Sequence, residues 1–526
     1  MGGLPRAGIR RPMSPFVLYW PIVLWALGFM EFHLTVFFGP RNGHTLGVSL
    51  WIALAVLLAE LWRCRYATLR VAGMLWGEVR RGPSLFWFLC AVQAGMFVLA
   101  GYEAHFPPHW PQEYDAINYH MALPRQHLFW GSLQHLPWSM ADLFSMPLQY
   151  GFASVWFMGN TINKWPQFVG TLWAFGIVLA LGRRQASHSI SGWIPALAMF
   201  TTHGVMVQLG MAMLDLSNLY LLLATWHATL HRRPVWWAAH IALYGAAKAF
   251  YPAQAGLVIL AIFAYYYFFE RVSLVANRLL LIIGVLLAVS FFLLISVRSI
   301  WVDVERAGTP IFPLAVCAFP TVSGCQSEAG EIIRASSVRV TNAAASYGVG
   351  YGLKGMLTHL WRVAVPAFGS VNNEYDYPLG LAWPLMLLFG VGTMFYWRKP
   401  RNVSPEQIMA FALWIFWWFT SHQSRWLYPV VALGLLATIS TQIRVNQRLL
   451  LGSLIVSAML SALSLARSID ADFYVSSADV QAHLQASVDS NPETGVAKKK
   501  EMLYVEHVVT SVEDVDGLFI FPVDNK

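Results

Sequence analysis

The chain has 526 residues, of which 57% are hydrophobic and only 12% are charged. A soluble domain carries about 25% charged residues, so this composition excludes an ordinary soluble protein and indicates a chain solvated largely by lipid. The formal net charge of +8 fits Lys and Arg residues that hold cytoplasmic loops in place, and we expect no nucleic-acid partner.

The N-terminus resembles a signal sequence in charge but not in length. Arg6, Arg10 and Arg11 precede an apolar run over residues 16–38, whereas the apolar core of a cleaved signal has about 7–15 residues. This pattern predicts a retained signal anchor with its N-terminus in the cytoplasm.

Further apolar runs along the chain have the length that a membrane span requires, about 17–25 residues. They predict an all-α polytopic membrane protein with thirteen spans, at 17–39, 46–62, 84–104, 167–182, 192–208, 211–229, 235–250, 253–269, 279–297, 378–397, 406–420, 426–443 and 449–467.

The charge distribution orients these spans. More than half of the Lys and Arg residues fall in the short segments that lie inside when the N-terminus is inside, as the positive-inside rule requires. Two long loops, 105–166 and 299–377, then lie outside. The sequence thus divides into a two-helix N-terminal addition (1–83), a transmembrane module (84–467) and an extracytoplasmic tail or small domain (468–526).

The first outer loop contains two carboxylates, Glu113 and Asp115, that could converge on one cation or one hydroxyl. Beyond them, helical phase places Asp115, Asn118 and Arg125 on one polar face. This pattern predicts an amphipathic helix that lies flat on the membrane with its polar side toward a cavity. The alternative is a solvated surface helix with ordinary charges.

Ionisable residues within or beside spans are costly and mark cavities or partners. Asp215, Lys248 and Arg425 meet this description. The alternative for the first two is a buried ion pair that holds helices together. His120 lies close to the two acids and could orient Asp115 or contact a substrate, although a lone histidine can equally be structural.

Four cysteines are too few for a disulfide scaffold. Cys317 and Cys325 fall in the second outer loop, where an oxidising compartment and the turn-forming Pro320 favour a disulfide. Cys64 lies in an inner segment, and we expect it to remain reduced.

Four sequence features occur in a fixed order along residues 84–445. They are Glu-x-Asp followed by Tyr-His-Met-Ala-Leu-Pro (113–124), Ala-Gly-Thr-Pro-Ile-Phe-Pro (307–313), Gln-Ser-Arg-Trp-Leu-Tyr-Pro (423–429) and the isolated Asp215. This set resembles the bacterial GT-C glycosyltransferases of the family 39 type, the relatives of protein O-mannosyltransferases and aminoarabinose transferases. Thr309 stands where the family pattern has Asn, and Trp426 where it has Tyr.

The resemblance implies a GT-C-like bundle of about 13 transmembrane helices with amphipathic helices in the long outer loops. It also implies transfer of a sugar, with inversion, from a polyprenyl-phosphate donor to the hydroxyl of a lipid, glycan or protein acceptor. The expected location is the bacterial inner membrane, with the active site and the C-terminus in the periplasm.

The same resemblance assigns roles to residues. Asp115 is the expected catalytic base, with Glu113 as a second carboxylate, and the two could together hold Mg²⁺ or Mn²⁺. The expected substrate-binding residues are Arg425, Lys248, His120, Asp215, Tyr428 and Gln423.

Two other classes of protein stay open. A secondary transporter or lipid flippase would have paired halves with broken helices. A non-catalytic scaffold could keep a transferase fold and bind a partner through the tail, since a fold does not fix a function.

Overall fold

A computed structural model describes most of the chain between residues 14 and 459. The described ranges are 14–38, 44–105, 147–158, 163–186, 190–248, 250–269, 274–310, 315–322, 352–364, 375–380, 382–387, 404–440 and 454–459, with single residues or pairs between them, among them 115–116 and 120–121. Every regular element within these residues is helical, which confirms the predicted all-α class.

The α-helices are α1 (Pro15–Leu18), α2 (Pro21–Phe38), α3 (His44–Arg63), α4 (Arg65–Arg81), α5 (Ser84–Glu103), α6 (Trp165–Gln185), α7 (Ile194–Phe200), α8 (His203–Gln208), α9 (Leu214–Leu230), α10 (Pro234–Gly245), α11 (Tyr251–Ala264), α12 (Leu274–Ala307), α13 (Leu353–Arg362), α14 (Ala382–Leu385), α15 (Pro405–Thr420) and α16 (Tyr428–Ser440). Short 3₁₀ segments cover Pro147–Met158, Ile190–Trp193 and Ser424–Leu427, and a π-helical turn covers Tyr265–Phe269.

Three helices of the described part are long and apolar enough to cross a membrane. They are Ser84–Glu103, Trp165–Gln185 and the Arg278–Ala307 part of α12. This supports an integral membrane protein, while the count of thirteen spans stays a prediction.

Several boundaries differ from those predicted. Residues 65–81, predicted as an inner loop, form helix α4, and α12 is 34 residues long where the prediction covered 279–297. The predicted span 192–208 breaks at Thr201 and Thr202, whose hydroxyls donate to the carbonyls of Leu197 (2.7 Å) and Met199 (2.9 Å) and so compete with the helical pattern.

The predicted span 235–250 is also shorter than expected. Helix α10 ends at Gly245, and α11 begins at Tyr251 with Pro252 in its first turn, where a residue without an N–H is tolerated. Lys248 therefore lies in the link between two helices rather than in one continuous helix, and its place within a span stays a prediction.

The N-terminal helix packs against the 147–158 segment of the first predicted outer loop. Trp25 contacts Phe152 edge to face with ring centroids 5.3 Å apart, and Phe32 stacks on Tyr150 at 3.6 Å. Gly28 permits this approach, because a Cβ atom there would lie 2.5 Å from the carbonyl oxygen of Tyr150. The predicted domain boundary at residue 83 stays a prediction, but α2 is part of the described core.

The second predicted outer loop contains the amphipathic helix that the sequence leads us to expect. In α13, His359 is buried and its ring stacks on Trp414, whereas Leu353, Leu357 and Trp361 are exposed. The same loop contains a disulfide between Cys317 and Cys325, and Cys64 and Cys90 are free. The predicted disulfide is therefore confirmed.

Helix α15 separates two polar regions. Its 16 residues span about 24 Å at 1.5 Å per residue. Glu406 lies in its first turn and Arg425 follows its last residue by five positions. We refer to these regions as the Glu406 end and the Arg425 end of the bundle.

Candidate functional site

Among the residues that the structure describes, five ionisable side chains meet at the Arg425 end. Nη1 of Arg425 donates to Oδ2 of Asp115 at 2.7 Å and lies 3.8 Å from Oδ2 of Asp215. Nε of Arg425 lies 3.2 Å from Oδ2 of Asp376. Nζ of Lys248 donates to Oδ1 of Asp215 at 3.1 Å. We call these five residues the Arg425 cluster.

Each member of the cluster comes from a different segment. Asp115 lies in the first predicted outer loop and Asp215 in the first turn of α9, where the helix dipole favours a carboxylate. Lys248 lies in the link between α10 and α11, Asp376 precedes α14, and Arg425 lies in the 3₁₀ turn before α16. The fold thus brings together charges that are up to 310 residues apart in sequence.

The cluster contains three carboxylates and two cations in a largely buried setting. The side chains of Asp215, Arg425, Asp376 and Asp115 are 0%, 9%, 13% and 17% exposed. Buried charges are stable only when they are paired or neutralised. With all three acids ionised, the cluster carries one uncompensated negative charge.

Asp115 and Asp376, which lie outside the predicted spans, differ in proton affinity. Burial acts to raise the pKa of Asp115, but the surrounding groups, Arg425 first and then His120 and Lys248, together outweigh it and the pKa falls to about 2. Burial raises the pKa of Asp376 to about 6, and repulsion from Asp115 contributes to this rise while Arg425 opposes it. Asp115 is therefore ionised at neutral pH, and Asp376 is the carboxyl that titrates near neutrality.

Asp376 has an unusual backbone conformation, with a φ of 86°. Positive φ is uncommon outside glycine, although Asp tolerates it better than most residues. Ser424 holds this conformation, because its N–H donates to the carbonyl of Tyr375 at 2.6 Å and its hydroxyl donates to the carbonyl of Tyr377. Residues in such conformations concentrate at functional sites.

Three further predicted residues surround the cluster. His120 is buried, and burial lowers the pKa of its imidazole well below the usual value, with Lys248 contributing. Tyr428 is also buried, and its hydroxyl has no hydrogen-bond partner among the described residues. The carbonyl of Gln423 accepts a hydrogen bond from the indole of Trp417 at 2.8 Å. This contact involves the backbone of Gln423 and not its side chain.

Four predicted site residues thus meet directly: Asp115, Asp215, Lys248 and Arg425. The Asp215–Lys248 ion pair is present, but Asp215 also faces Arg425 and so belongs to a larger cluster than a helix-joining pair. The role of Glu113 stays a prediction, since it lies outside the described residues.

Sequence reasoning did not include Asp376 among the site residues. The only signal for it was the repeated tripeptide Glu-Tyr-Asp, at 113–115 and again at 374–376. The aspartates of both tripeptides contact the same guanidinium, that of Arg425.

Asp115 is half of the predicted metal pair. Within the described ranges, no group of three His, Cys, Asp or Glu side chains could hold a metal ion. The Asp115 carboxylate faces a guanidinium rather than an open coordination position. The metal pair of Glu113 and Asp115 stays a prediction.

Comparisons with known proteins were made at the level of family, sequence and structure. No family model matches the chain, and no curated protein matches it. A solved structure that is similar is the crystal structure of ArnT from Cupriavidus metallidurans bound to undecaprenyl phosphate. It is 15% identical, covers 80% of this chain and 72% of the ArnT chain, and has a TM-score of 0.43. A similarity at this level gives no role to any residue of the cluster.

Proposed function

We propose that the Arg425 cluster transfers a sugar from a polyprenyl-phosphate donor to an acceptor hydroxyl at the predicted outer face of the membrane. The observation that carries this proposal is the contact between Asp115 and Arg425, with Lys248 joined to them through Asp215. A carboxylate base and two cations lie together at one end of an apolar helical bundle. A lipid phosphate with its chain in the membrane presents its charge at such a position.

The cations suit a phosphate group. The guanidinium of Arg425 is a planar fork that can bind two phosphate oxygens, and Lys248 adds a point charge. The hydroxyl of Tyr428, which has no hydrogen-bond partner among the described residues, can donate to a third oxygen. The cluster therefore has donors of the kinds that bind a phosphate.

Asp115 suits the role of base. In the proposed step, the acceptor oxygen attacks the anomeric carbon while its proton passes to the Asp115 carboxylate. The bond between the anomeric carbon and the phosphate oxygen breaks, and the electron pair stays on the phosphate, where Arg425 and Lys248 stabilise it. Displacement in a single step inverts the configuration at the anomeric carbon.

Donor binding would also activate the base. The positive groups around Asp115, Arg425 first, hold its pKa at about 2 against the effect of burial, and a carboxylate of such low pKa is a weak base. A phosphate that engages Arg425 competes for its charge, so the pKa of Asp115 rises and the carboxylate becomes a better proton acceptor. The base is therefore strengthened only when the donor is in place.

The proposal is tested with purified protein in proteoliposomes, polyprenyl-phosphate-linked radiolabelled sugars and a panel of lipid, glycan and peptide hydroxyl acceptors. The measured quantity is the polyprenyl phosphate released together with labelled product. Glu406→Gln, a carboxylate change at the other end of α15, is the matched control. Release no faster than in protein-free vesicles for every donor would overturn the proposal, and movement of intact donor across the bilayer without cleavage would favour a transporter.

A further inference from the structure

Asp376 and Arg425 are held together by the backbone as well as by charge. Ser424 immediately precedes Arg425. It donates hydrogen bonds to the carbonyls of Tyr375 and Tyr377, the residues on either side of Asp376. The peptide of Gly380 also donates to the carbonyl of Ala364 at 2.9 Å, which fixes the segment that follows. These hydrogen bonds hold the backbone of Asp376 beside Arg425, and the carboxyl lies 3.2 Å from the guanidinium.

This arrangement has a consequence for anion binding. The cluster already contains one more carboxylate than it has cations, and a bound phosphate adds another negative charge in a low-dielectric setting. Such an excess is costly unless a group takes up a proton. Asp115 carries a direct hydrogen bond from Arg425, and Asp215 carries one from Lys248 at a helix N-terminus. Asp376 is the remaining carboxyl.

The charged and titratable groups around Asp376 make it the carboxyl of the cluster that is most easily protonated. Arg425 and Lys248 favour its ionised form, whereas Asp115 and Asp215 oppose it. Burial raises the pKa of the neighbouring Tyr377 phenol, which therefore stays neutral. A phosphate at Arg425 would add a like charge and draw on the cation that now favours ionised Asp376, so both effects act toward protonation.

We propose that Asp376 is the proton-carrying residue of the Arg425 cluster, and that its carboxyl takes up a proton from water when a phosphate anion binds and releases it when the anion leaves. This inference rests on the proposed function, because it requires that phosphate binds at Arg425. It gives Asp376 a role in charge balance that differs from the role of Asp115 as base.

Proton uptake by Asp376 makes the affinity for the anion depend on pH in a definite direction. An anion that is accompanied by proton uptake binds most tightly where Asp376 is already protonated, which is below about pH 6. Its affinity falls as the pH rises above that value, by up to about tenfold per pH unit. In Asp376→Asn the side chain is neutral at every pH, and Asn also tolerates positive φ. This variant should bind the anion equally well from pH 6 to pH 8, and at pH 8 about tenfold or more tightly than the unmodified protein.

The experiment uses a farnesyl methyl phosphodiester, a monoanion whose own ionisation lies far below pH 6. Titration calorimetry of the full chain in lipid nanodiscs gives its affinity between pH 6 and pH 8. Measurement at pH 7 in two buffers of different ionisation enthalpy gives the number of protons taken up. We expect net uptake of up to one proton for the unmodified protein and for Glu406→Gln, and none for Asp376→Asn.

The outcomes separate this inference from the proposed function. Binding without proton uptake by the unmodified protein would overturn the inference and leave the proposed function standing. The same holds if Asp376→Asn keeps the pH dependence of the unmodified protein. Absence of binding at every pH would overturn both. The proton count on the unmodified protein does not depend on the folding of any variant.

Discussion

Buried acids at the two ends of helix α15 differ in how their charge is compensated. At the Glu406 end, Glu406 accepts from Nε2 of Gln185 at 2.7 Å and from the indole of Trp226 at 3.0 Å. Nearby, Glu78 accepts from Arg183 at 2.6 Å and from the indole of Trp193 at 3.0 Å. Each of these acids has its own donors. At the Arg425 end, three acids share two cations.

Under the proposed function, this difference separates polar groups that join helices from polar groups that bind a ligand. An acid whose donors come from adjoining helices fixes their relative position, and any added charge would disturb it. A cluster with surplus carboxylates and shared cations can exchange partners when an anion or a proton arrives. Perturbed proton affinities at such clusters mark functional sites. The contrast predicts that substitutions at the Arg425 end change sugar transfer and that those at the Glu406 end leave sugar transfer unchanged.

The largest expected effect is that of Asp115→Asn. The change keeps the shape of the side chain and removes the proton acceptor, and loss of a general base costs about 10²–10⁴-fold in rate. The initial rate of sugar transfer, measured beside the thermal unfolding midpoint, checks this. A folded Asp115→Asn protein that transfers sugar at the unmodified rate would remove Asp115 from the proposed mechanism.

Arg425→Ala comes next and acts on the donor. Hydrogen bonds to a charged group are worth about 1.5–3 kcal/mol, so donor affinity should fall about 10- to 100-fold. Arg425→Lys should recover only part of this, because Lys lacks the planar fork. Affinity for a polyprenyl phosphate, measured by calorimetry, checks both variants. Arg425→Lys with the affinity of the unmodified protein would show that the fork is not used.

The stability of Arg425→Ala needs its own measurement. The change leaves buried carboxylates without their shared cation, and the loss of one partner of a buried ion pair costs about 3–5 kcal/mol. Arg425→Lys keeps the positive charge and is the control for this loss. If the Arg425→Lys protein is folded and its affinity for polyprenyl phosphate falls, the fall therefore reports on phosphate binding rather than on unfolding.

Sequence alone predicted the members of the Arg425 cluster whose charge is unusual for their position in the chain. Asp215 is an ionisable residue within a predicted span, Arg425 adjoins the start of another, and Asp115 begins a polar face in a predicted outer loop. A charge in such a setting is costly, so its presence is informative without a structure. The all-α class followed from the apolar runs in the same way.

Asp376 could not be found by that reasoning. It lies in a polar loop where an acid is ordinary. It reaches the site through its ion pair with Arg425 and through two hydrogen bonds from Ser424 to its neighbours, one of them across 47 residues. Hydrogen bonds of the Thr201 and Thr202 hydroxyls likewise broke a continuous apolar run into two helices. Contacts that depend on backbone geometry and long-range closure leave no local pattern in a sequence.

At the Glu406 end, Arg183→Ala should lower the free energy of unfolding by about 1–3 kcal/mol, because the partly buried Glu78 loses its cation. The indole of Trp193 still donates to that carboxylate, which limits the loss. Sugar transfer per folded molecule should stay unchanged. Thermal unfolding and the transfer assay check the two halves of this statement. A large fall in transfer with unchanged stability would mean that the two ends do not differ as proposed.

Glu406→Gln should have the smallest effect. The side chain of Glu406 is buried, and its Oε1 accepts from Gln185 and Trp226, both of which are uncharged donors. A Gln side chain has nearly the same shape and keeps a carbonyl oxygen that can accept the Trp226 indole hydrogen bond. It also removes the cost of a buried carboxylate, which offsets the weaker hydrogen bonds. We expect the free energy of unfolding to change by about 1 kcal/mol or less.

Transfer rate, donor affinity and its pH dependence should equal those of the unmodified protein, since the substituted carboxylate is about a helix length from Arg425. Loss of the pH dependence in Glu406→Gln would show that the proton taken up on anion binding does not reside at the Arg425 end.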